Sequence, residues 1–279
     1  MFIIDQCFNS PYMILIKKRF IEPISVAQES DKYNYLGSTY TDANYGKGIA
    51  GYLKKRHFEA ALALTAEYFH SVNVIDYGCA DGPFLPSLSN YFNNVIGIDV
   101  NPNYLDVAFR LIQTMNLKNV RLICNENIQP SQPIVRTDFI KSKFEGQNYQ
   151  IIFLLESLEH IGDKNNLYSS QVEYLKELFK MIDDDGIMVI SVPKMFGLAY
   201  LFQIIGLRLL GQHPEYSYHS FITLIKAAFW IDTDSIEKLW RGYHEGYNYK
   251  KLEKNLQKNF HILSAKDIVF QKIFLIKNK

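Results

Sequence analysis

Cysteine is scarce in this chain, and its distribution excludes two kinds of site. The 279 residues include 3 cysteines, Cys7, Cys79 and Cys124, which are odd in number and far apart. A disulfide framework or a CxxC metal or redox motif needs paired or closely spaced cysteines. The sequence therefore predicts no metal site, and it favours the reducing cytoplasm as the compartment of the protein.

Long apolar runs and an excess of one charge are also missing. Asp5 and Pro11 interrupt the first apolar stretch, and the basic residues follow it, so no signal peptide is expected. The most apolar later segment, Gly197 to Leu210, is too short to span a bilayer, which leaves only peripheral membrane contact open. Lys and Arg number 30 and Asp and Glu 29, so no net field attracts nucleic acid.

Short apolar runs alternate with helical patterns, which predicts βαβ units and a doubly wound, mostly parallel α/β sheet. Residues 1–50 are expected to form an arm or lid before a domain over 51–279, and three helical patterns after Pro193 predict a cap inserted at 194–242. The predicted strands are Val72–Tyr77, Val95–Val100, Val120–Cys124, Gln150–Leu155, Ile187–Val192, His261–Ala265 and Val269–Ile276. The predicted helices are Gly51–Phe69, Pro83–Phe92, Pro102–Met115, Leu167–Met181, Leu198–Leu210, Phe221–Trp230, Asp234–Arg241 and Tyr249–Lys258.

The most informative motif is the stretch Asp76–Gly82, DYGCADG, where an apolar strand ends and a helix begins. Open α/β sheets bind ligands at this junction, because the helix N-terminus offers free N–H groups. Small side chains at alternate positions let a ligand approach the backbone, and a carboxylate at the start can accept hydrogen bonds from an ammonium group. The alternative is a tight turn without a ligand. The predicted contacts are Asp76, Tyr77, Gly78, Cys79, Ala80 and Gly82.

A second carboxylate, Asp99, ends the next strand about 20 residues further on and is followed by Val100. An acidic side chain at that position can bind both hydroxyls of a ribose, so the two motifs together predict a nucleoside. A dinucleotide fingerprint would need glycine at 80 and a small residue at 83, where this chain has Ala80 and Pro83. An NAD-dependent dehydrogenase is therefore the weaker hypothesis.

These segments resemble the class I S-adenosylmethionine-dependent methyltransferases, in particular their type 11 and type 23 groups. VIDYGCADG is similar to their first motif, IGIDVNPNYLDVA to the following strand, YQIIFLLESLEHI to the fourth-strand motif and IDDDGIMVISVP to the segment before the fifth strand. His244–Asn248 resembles a signature of members with a helical insertion. The departures are Ala80 for glycine, Gln150 for aspartate and an Asp-Asp-Gly turn, at residues 184–186, for the usual Pro-Gly turn. The resemblance implies S-adenosylmethionine as cofactor and seven strands in the order 3-2-1-4-5-7-6, with strand 7 antiparallel.

The resemblance also suggests roles for side chains near the strand ends. Asn125, Glu126 and Asn127 follow the third strand, and one of them, with Asn125 and Glu126 as the chosen candidates, would recognise adenine, or else they would be solvent-facing loop residues. Glu156 and Ser157 follow the fourth strand and are expected beside the cofactor. Glu159 is expected to face the same crevice.

Two histidines are candidate bases, because an imidazole titrates near neutral pH. His160 follows the fourth strand, although it can equally cap a helix, and His244 belongs to the insertion, although it can equally brace the cap. Arg56 would bind the cofactor's carboxylate or lie on a solvated helix face.

The resulting hypothesis is a methyltransferase that acts on an oxygen or nitrogen atom of a small-molecule, glycan or lipid-type acceptor. An alternative is a non-catalytic cofactor-binding or partner-binding protein, for which the departures at Ala80 and Gln150 would be early signs of decay. The acceptor and the oligomeric state are left open.

Overall fold

The computed structural model of the chain describes residues 19–28, 31, 39–46, 48–125, 136–209, 220–242 and 244–279. Most of the predicted arm, together with Cys7 and Glu126, lies outside these residues. The boundaries predicted for the arm, the domain and the cap stay predictions.

One seven-stranded sheet, in the order β3-β2-β1-β4-β5-β7-β6, organises the described residues. Strands β1 to β5 pair in parallel, and β7 is antiparallel to both β5 and β6. The predicted fold and strand order are confirmed. The strands are β1 Val74–Tyr77, β2 Val95–Asp99, β3 Val120–Cys124, β4 Ile151–Leu155, β5 Ile187–Pro193, β6 Phe260–Asp267 and β7 Gln271–Asn278.

Helices cover both faces of the sheet, because the central strands are apolar on both sides. In β4, Ile151 and Phe153 belong to one buried cluster, and Ile152 and Leu154 belong to another. The helices are α1 Tyr40–Tyr45, α2 Ile49–Leu64, α3 Leu85–Tyr91, α4 Pro102–Met115, α5 Thr137–Ser142, α6 Leu167–Phe179, α7 Leu198–Leu209, α8 Phe221–Ala228, α9 Thr233–Glu237 and α10 Tyr249–Asn259. The first cluster includes side chains of α2, α3 and α4, and the second includes side chains of α6 and α10.

α4 begins at Pro102, the first residue predicted for this helix. Asn101 caps the helix, and its side chain accepts a hydrogen bond of 3.1 Å from the backbone N–H of Asn103. Pro102 occupies the first turn, where a missing N–H costs nothing. The helix leaves β2 at the edge of the sheet where ligands are expected.

Several helix boundaries differ from the prediction. The helix predicted over Gly51–Phe69 is α2, which ends at Leu64 because the Thr65 hydroxyl donates to the carbonyl of Ala61 and a short 3₁₀ turn follows. α5 lies in a stretch predicted to be a loop. α9 ends at Glu237, short of the predicted Arg241.

In the described part of the segment between β5 and α10, where the cap was predicted, the structure has three helices, α7 to α9. Tyr200 and Ile204 of α7 are buried in the core, whereas Phe202 is 66% exposed and Leu209 is 82% exposed. One face of α7 is therefore packed, which agrees with a cap helix, and peripheral membrane contact stays a prediction. Among the described residues, no helix combines the length and the apolar character needed to cross a membrane.

Candidate active site

A cavity of about 370 Å³ lies at the carboxyl ends of β1, β2 and β4. This is the edge of the sheet where the sequence places its ligand. The cavity contains most of the predicted site residues and several aromatic side chains from α1, α2, α4 and α6. The predicted residues that line it are Asp76, Tyr77, Gly78, Cys79, Ala80, Asp99, Val100, Asn125, Glu156, Ser157 and His160.

The loop after β1 is held in a shape that needs small side chains. Gly78 has φ +81°, and a Cβ there would lie 2.9 Å from the Cβ of Ser157 and nearer still to its hydroxyl. Ala80 has φ +47°, so a residue with a side chain takes a left-handed conformation that favours glycine. Gly82 does not line the cavity, and a Cβ there would meet the side chain of Leu85 at 2.9 Å. Gly82 thus permits packing below the loop.

Asp99 connects the end of β2 to this loop. One of its carboxylate oxygens accepts a hydrogen bond of 2.8 Å from the N–H of Ala80, and the other accepts one of 2.9 Å from the N–H of Asn101. Burial raises the pKa of Asp99, and these two N–H groups oppose the effect. The carboxylate is therefore fixed at the wall of the cavity.

Two buried side chains have polar atoms that S-adenosylmethionine would satisfy. The carboxyl group of Asp76, 4% exposed, makes no hydrogen bond within the described chain, and burial, with a further contribution from the Asp99 charge, raises its pKa to about 8. Asn125 is 1% exposed; its amide N–H₂ donates to the Tyr77 hydroxyl at 3.2 Å, while its oxygen has no partner among the described residues. An ammonium group and an adenine amino group are donors of the kind that these two acceptors lack.

Glu156 lies at the other end of the cavity, with φ +51°. Its carboxylate accepts a hydrogen bond of 3.3 Å from the Ser191 hydroxyl. Burial raises the pKa of Glu156 to about 7, and the Ser191 hydrogen bond and the charge of Lys54 oppose the effect. Backbone strain of this kind in a non-glycine residue is concentrated at functional sites.

The two predicted histidines lie next to each other. His160 lines the cavity, and its Nδ1 lies 2.9 Å from the carbonyl oxygen of Gly242, so Nδ1–H donates and Nε2 keeps its lone pair. His244 does not line the cavity, but its Nε2 lies 3.3 Å from the Nε2 of His160. Burial lowers the pKa of both, that of His244 to about 3, so both imidazoles are neutral at neutral pH.

Glu159 is the third member of this group. Its side chain is fully buried, and its Oε1 lies 3.4 Å from Nε2 of His244 and 3.9 Å from Nε2 of His160. The backbone carbonyl of Glu159 accepts a hydrogen bond of 2.9 Å from the indole N–H of Trp240. Glu159, expected to face the crevice, does not line the cavity and instead contacts both histidines.

The structure does not bring Arg56 to the cavity wall. Lys54, on the same helix, is the basic residue whose charge acts on Glu156. The sequence analysis also missed Tyr40, Phe58 and Tyr104, which line the cavity. Tyr104 follows a capped helix start, but an aromatic residue on a surface helix gives no signal of its own.

Helix α1 covers one side of the cavity and is attached to the loop after β1. The backbone N–H of Thr41 donates to a carboxylate oxygen of Asp81 at 2.8 Å, and its hydroxyl donates to the other oxygen. This attachment places Tyr40 and Tyr45 in the cavity wall.

Comparison with known proteins gives the family. A family model described as a methyltransferase domain matches residues 45–241. A ubiquinone biosynthesis O-methyltransferase from Actinobacillus pleuropneumoniae is 26% identical over 227 residues, which cover 77% of this chain and 87% of that protein. Another from Glaesserella parasuis is 26% identical over 258 residues, covering 90% and 97%.

Solved structures show the same fold. A methyltransferase from Clostridium acetobutylicum superposes with a TM-score of 0.52 at 13% identity, covering 86% of this chain and 96% of that one. The magnesium protoporphyrin IX methyltransferase from Synechocystis, solved with S-adenosylhomocysteine, gives a TM-score of 0.51 at 14% identity, covering 85% and 92%. The chain belongs to this methyltransferase domain family and is an S-adenosylmethionine-dependent methyltransferase, not the NAD-dependent dehydrogenase considered as an alternative.

Proposed function

We propose that the enzyme transfers the methyl group to a hydroxyl oxygen of a small aromatic molecule. The proposal rests on the electron-pair donors gathered at one end of the cavity, Glu156 and His160, with His244 behind them. A hydroxyl group must lose its proton when it is methylated, whereas a neutral amine can attack without prior proton loss. A cavity end that offers neutral imidazoles and a carboxylate suits a hydroxyl group.

The relatives and the cavity wall support the same acceptor. The matched proteins of Actinobacillus pleuropneumoniae and Glaesserella parasuis are O-methyltransferases of ubiquinone biosynthesis and align over most of their length. The aromatic rings of Tyr40 and Tyr104 lie 5.6 Å apart in the cavity wall, within the range of ring–ring contact. Such a wall favours a planar aromatic acceptor over a glycan.

Bound S-adenosylmethionine would supply the activated methyl group. We assign its ammonium group to Asp76, its ribose to Asp99 and its adenine to Asn125. Asp76 is a buried carboxyl group in the cavity wall, Asp99 is fixed at that wall, and the oxygen of Asn125 has no partner among the described residues. The chain's own contribution is to hold the acceptor oxygen in line and to exclude water, which is worth several orders of magnitude in rate. The other proposed contacts are Tyr77, Gly78, Cys79, Ala80, Val100, Glu156 and Ser157.

The test uses two acceptors of matched shape, 3,4-dihydroxybenzoate and 3,4-diaminobenzoate, each incubated with the protein and S-adenosylmethionine. Mass spectrometry should find an O-methylated product from the diol and none from the diamine. His160→Ala should lower the rate on the diol by about 100-fold or more without weakening cofactor binding. His261→Ala, at an exposed position of β6, serves as the control. Methylation of the diamine alone would overturn the proposal.

We also place the enzyme in the cytoplasm. Cys79 is a buried free thiol, and the 3 cysteines of the chain are far apart in sequence, which suits a reducing compartment.

A further inference from the structure

We infer that Glu159, His160 and His244 bind a divalent transition-metal ion beside the cavity. Each of these residues offers one ligand atom, and the three atoms lie within 4.8 Å of one another. One carboxylate oxygen and two imidazole nitrogens form a donor set found in catalytic zinc sites and in iron oxygenases.

The buried carboxylate of Glu159 is the first observation that points to a cation. The side chain is fully buried, and neither of its oxygens accepts a hydrogen bond from the described residues. Glu156, three residues earlier, differs because the Ser191 hydroxyl donates to its carboxylate. A buried carboxylate is costly unless a cation or hydrogen bonds compensate its charge. A metal ion would provide that compensation.

The histidines are prepared to act as ligands. The hydrogen bond from Nδ1–H of His160 to the carbonyl of Gly242 leaves the lone pair of the ring on Nε2, the atom that lies 3.3 Å from Nε2 of His244. Metal-binding histidines usually donate their other ring N–H to a carbonyl or carboxylate in this way. Nε2 of His244 points to the same place, since it lies close to both His160 and Glu159.

The distances between the ligand atoms agree with a tetrahedral ion. Bonds of about 2.0–2.1 Å at a tetrahedral centre place the ligand atoms about 3.3–3.4 Å apart. The two Nε2 atoms are 3.3 Å apart, and Nε2 of His244 is 3.4 Å from Oε1 of Glu159. The third pair, His160 and Glu159, is separated by 3.9 Å and would need to close by a small side-chain rotation.

The donor set indicates which metal ions would bind and what they would do to the acceptor. Mg²⁺ and Ca²⁺ prefer oxygen ligands, whereas imidazole nitrogens favour transition-metal ions such as Zn²⁺ and Fe²⁺. Three protein ligands leave a coordination position open, and His160 lines the cavity, so that position is next to the acceptor. If the acceptor is a hydroxyl group, as proposed above, the ion would bind its oxygen and lower its pKa. The histidines would then activate the hydroxyl through the ion.

Cobalt provides a readout that does not depend on methyl transfer. Protein treated with a chelator and then titrated with Co²⁺ should develop visible absorption that saturates at one ion per chain, and Zn²⁺ should displace it. Zn²⁺ should also raise the melting temperature of the protein, because it binds the folded state alone, whereas Mg²⁺ should not. Absence of both the cobalt spectrum and the Zn²⁺-dependent shift would overturn the proposal.

Variants locate the ion. Glu159→Gln and His244→Gln should weaken Co²⁺ binding at least about tenfold, which is the smallest loss seen even for residues that only support ligands. Glu173→Gln and His261→Gln change the same residue types at exposed positions and should bind Co²⁺ as the parent does. Thermal unfolding identifies any variant that fails to fold. If a variant does not fold, the Co²⁺ spectrum of the parent protein decides whether the metal site exists. Cluster variants that fold and bind Co²⁺ like the parent would refute the site.

The metal site and the acceptor can fail separately. A cobalt spectrum without O-methylation of the diol would support the ion and refute the proposed acceptor. O-methylation that persists at full rate in the chelated protein, with no cobalt spectrum, would refute the ion and leave the acceptor standing.

Discussion

Replacing Gly78 by alanine tests whether the loop after β1 depends on the absence of a side chain. The φ angle of Gly78 is +81°, and the new Cβ would lie 2.9 Å from the Cβ of Ser157. Gly146 is a matched control, since its φ is +77° and a Cβ there would meet nothing within 4 Å. The two substitutions share the backbone strain and differ in the steric contact.

The backbone strain and the steric contact each have an expected cost in free energy of unfolding. Alanine in the left-handed region costs about 1–2 kcal/mol, which is the expected loss for Gly146→Ala. Overpacking against Ser157 adds about 1–3 kcal/mol, so Gly78→Ala should lower the free energy of unfolding by about 2–5 kcal/mol in total. The contact with Ser157 accounts for the difference.

Urea unfolding measures these losses, and calorimetric titration with S-adenosylhomocysteine measures the effect on the site. Cofactor affinity should fall at least about tenfold in Gly78→Ala, or roughly 1.4 kcal/mol, and should not change in Gly146→Ala. Combining Gly78→Ala with Ser157→Gly removes the contact, so the double variant should be more stable than the sum of the single effects predicts. Equal stability of Gly78→Ala and Gly146→Ala, or unchanged cofactor affinity in both, would refute the reasoning.

Three further predictions concern groups around the cavity. Because burial raises the pKa of Asp76 from 3.8 to about 8, the folded protein keeps a proton that the unfolded chain has lost, so the stability of the cofactor-free protein should fall as pH rises between these values. Asp76→Asn should flatten this dependence in urea unfolding, and an unchanged slope would contradict the assignment. Gln150→Glu should lower the free energy of unfolding, measured with urea, by about 1–3 kcal/mol, because the amide that donates to Asp183 at 2.7 Å is lost. Equal stability of the variant and the parent would argue against that hydrogen bond. Trp240→Phe should lower the melting temperature by leaving the Glu159 carbonyl without its buried donor, and an unchanged temperature would show that water replaces it.

Elements with strong local signals were predicted well from the sequence. β3, Val120–Cys124, and α4, Pro102–Met115, have the predicted bounds, because an apolar strand and a capped, Pro-initiated helix are defined by their own residues. α1 and α5 are six residues each, too short for a hydrophobic period to appear.

The departure at Gln150 has a structural explanation that sequence alone did not reveal. Its side-chain oxygen accepts a hydrogen bond of 3.0 Å from the N–H of Asn73, and its amide group donates to Asp183. Gln150 therefore links the starts of β1 and β5 through β4. Gln150 thus has a structural role in the sheet, and its presence is not evidence that the protein has lost its activity.

Within the site, the sequence predicted which residue types follow the strands, but it did not predict the directions of side chains on helices or the contacts between distant residues. The loop and Asp99 were predicted correctly as parts of the cavity wall. Arg56 was chosen and Lys54 was missed, because residues two apart on a helix point in directions about 200° apart and only the packing of α2 decides which charge acts on Glu156. His160 and His244 are 84 residues apart, and no local pattern predicts that their rings meet.

The attachment of α1 to Asp81 has a practical consequence for where the protein can be cut. The matched family model begins at residue 45, after Thr41. A protein trimmed to that boundary would lose both donors to the Asp81 carboxylate, which is 2% exposed, and would leave this buried acidic group of the loop after β1 without them. We therefore expect that a stable protein needs residues upstream of the matched domain.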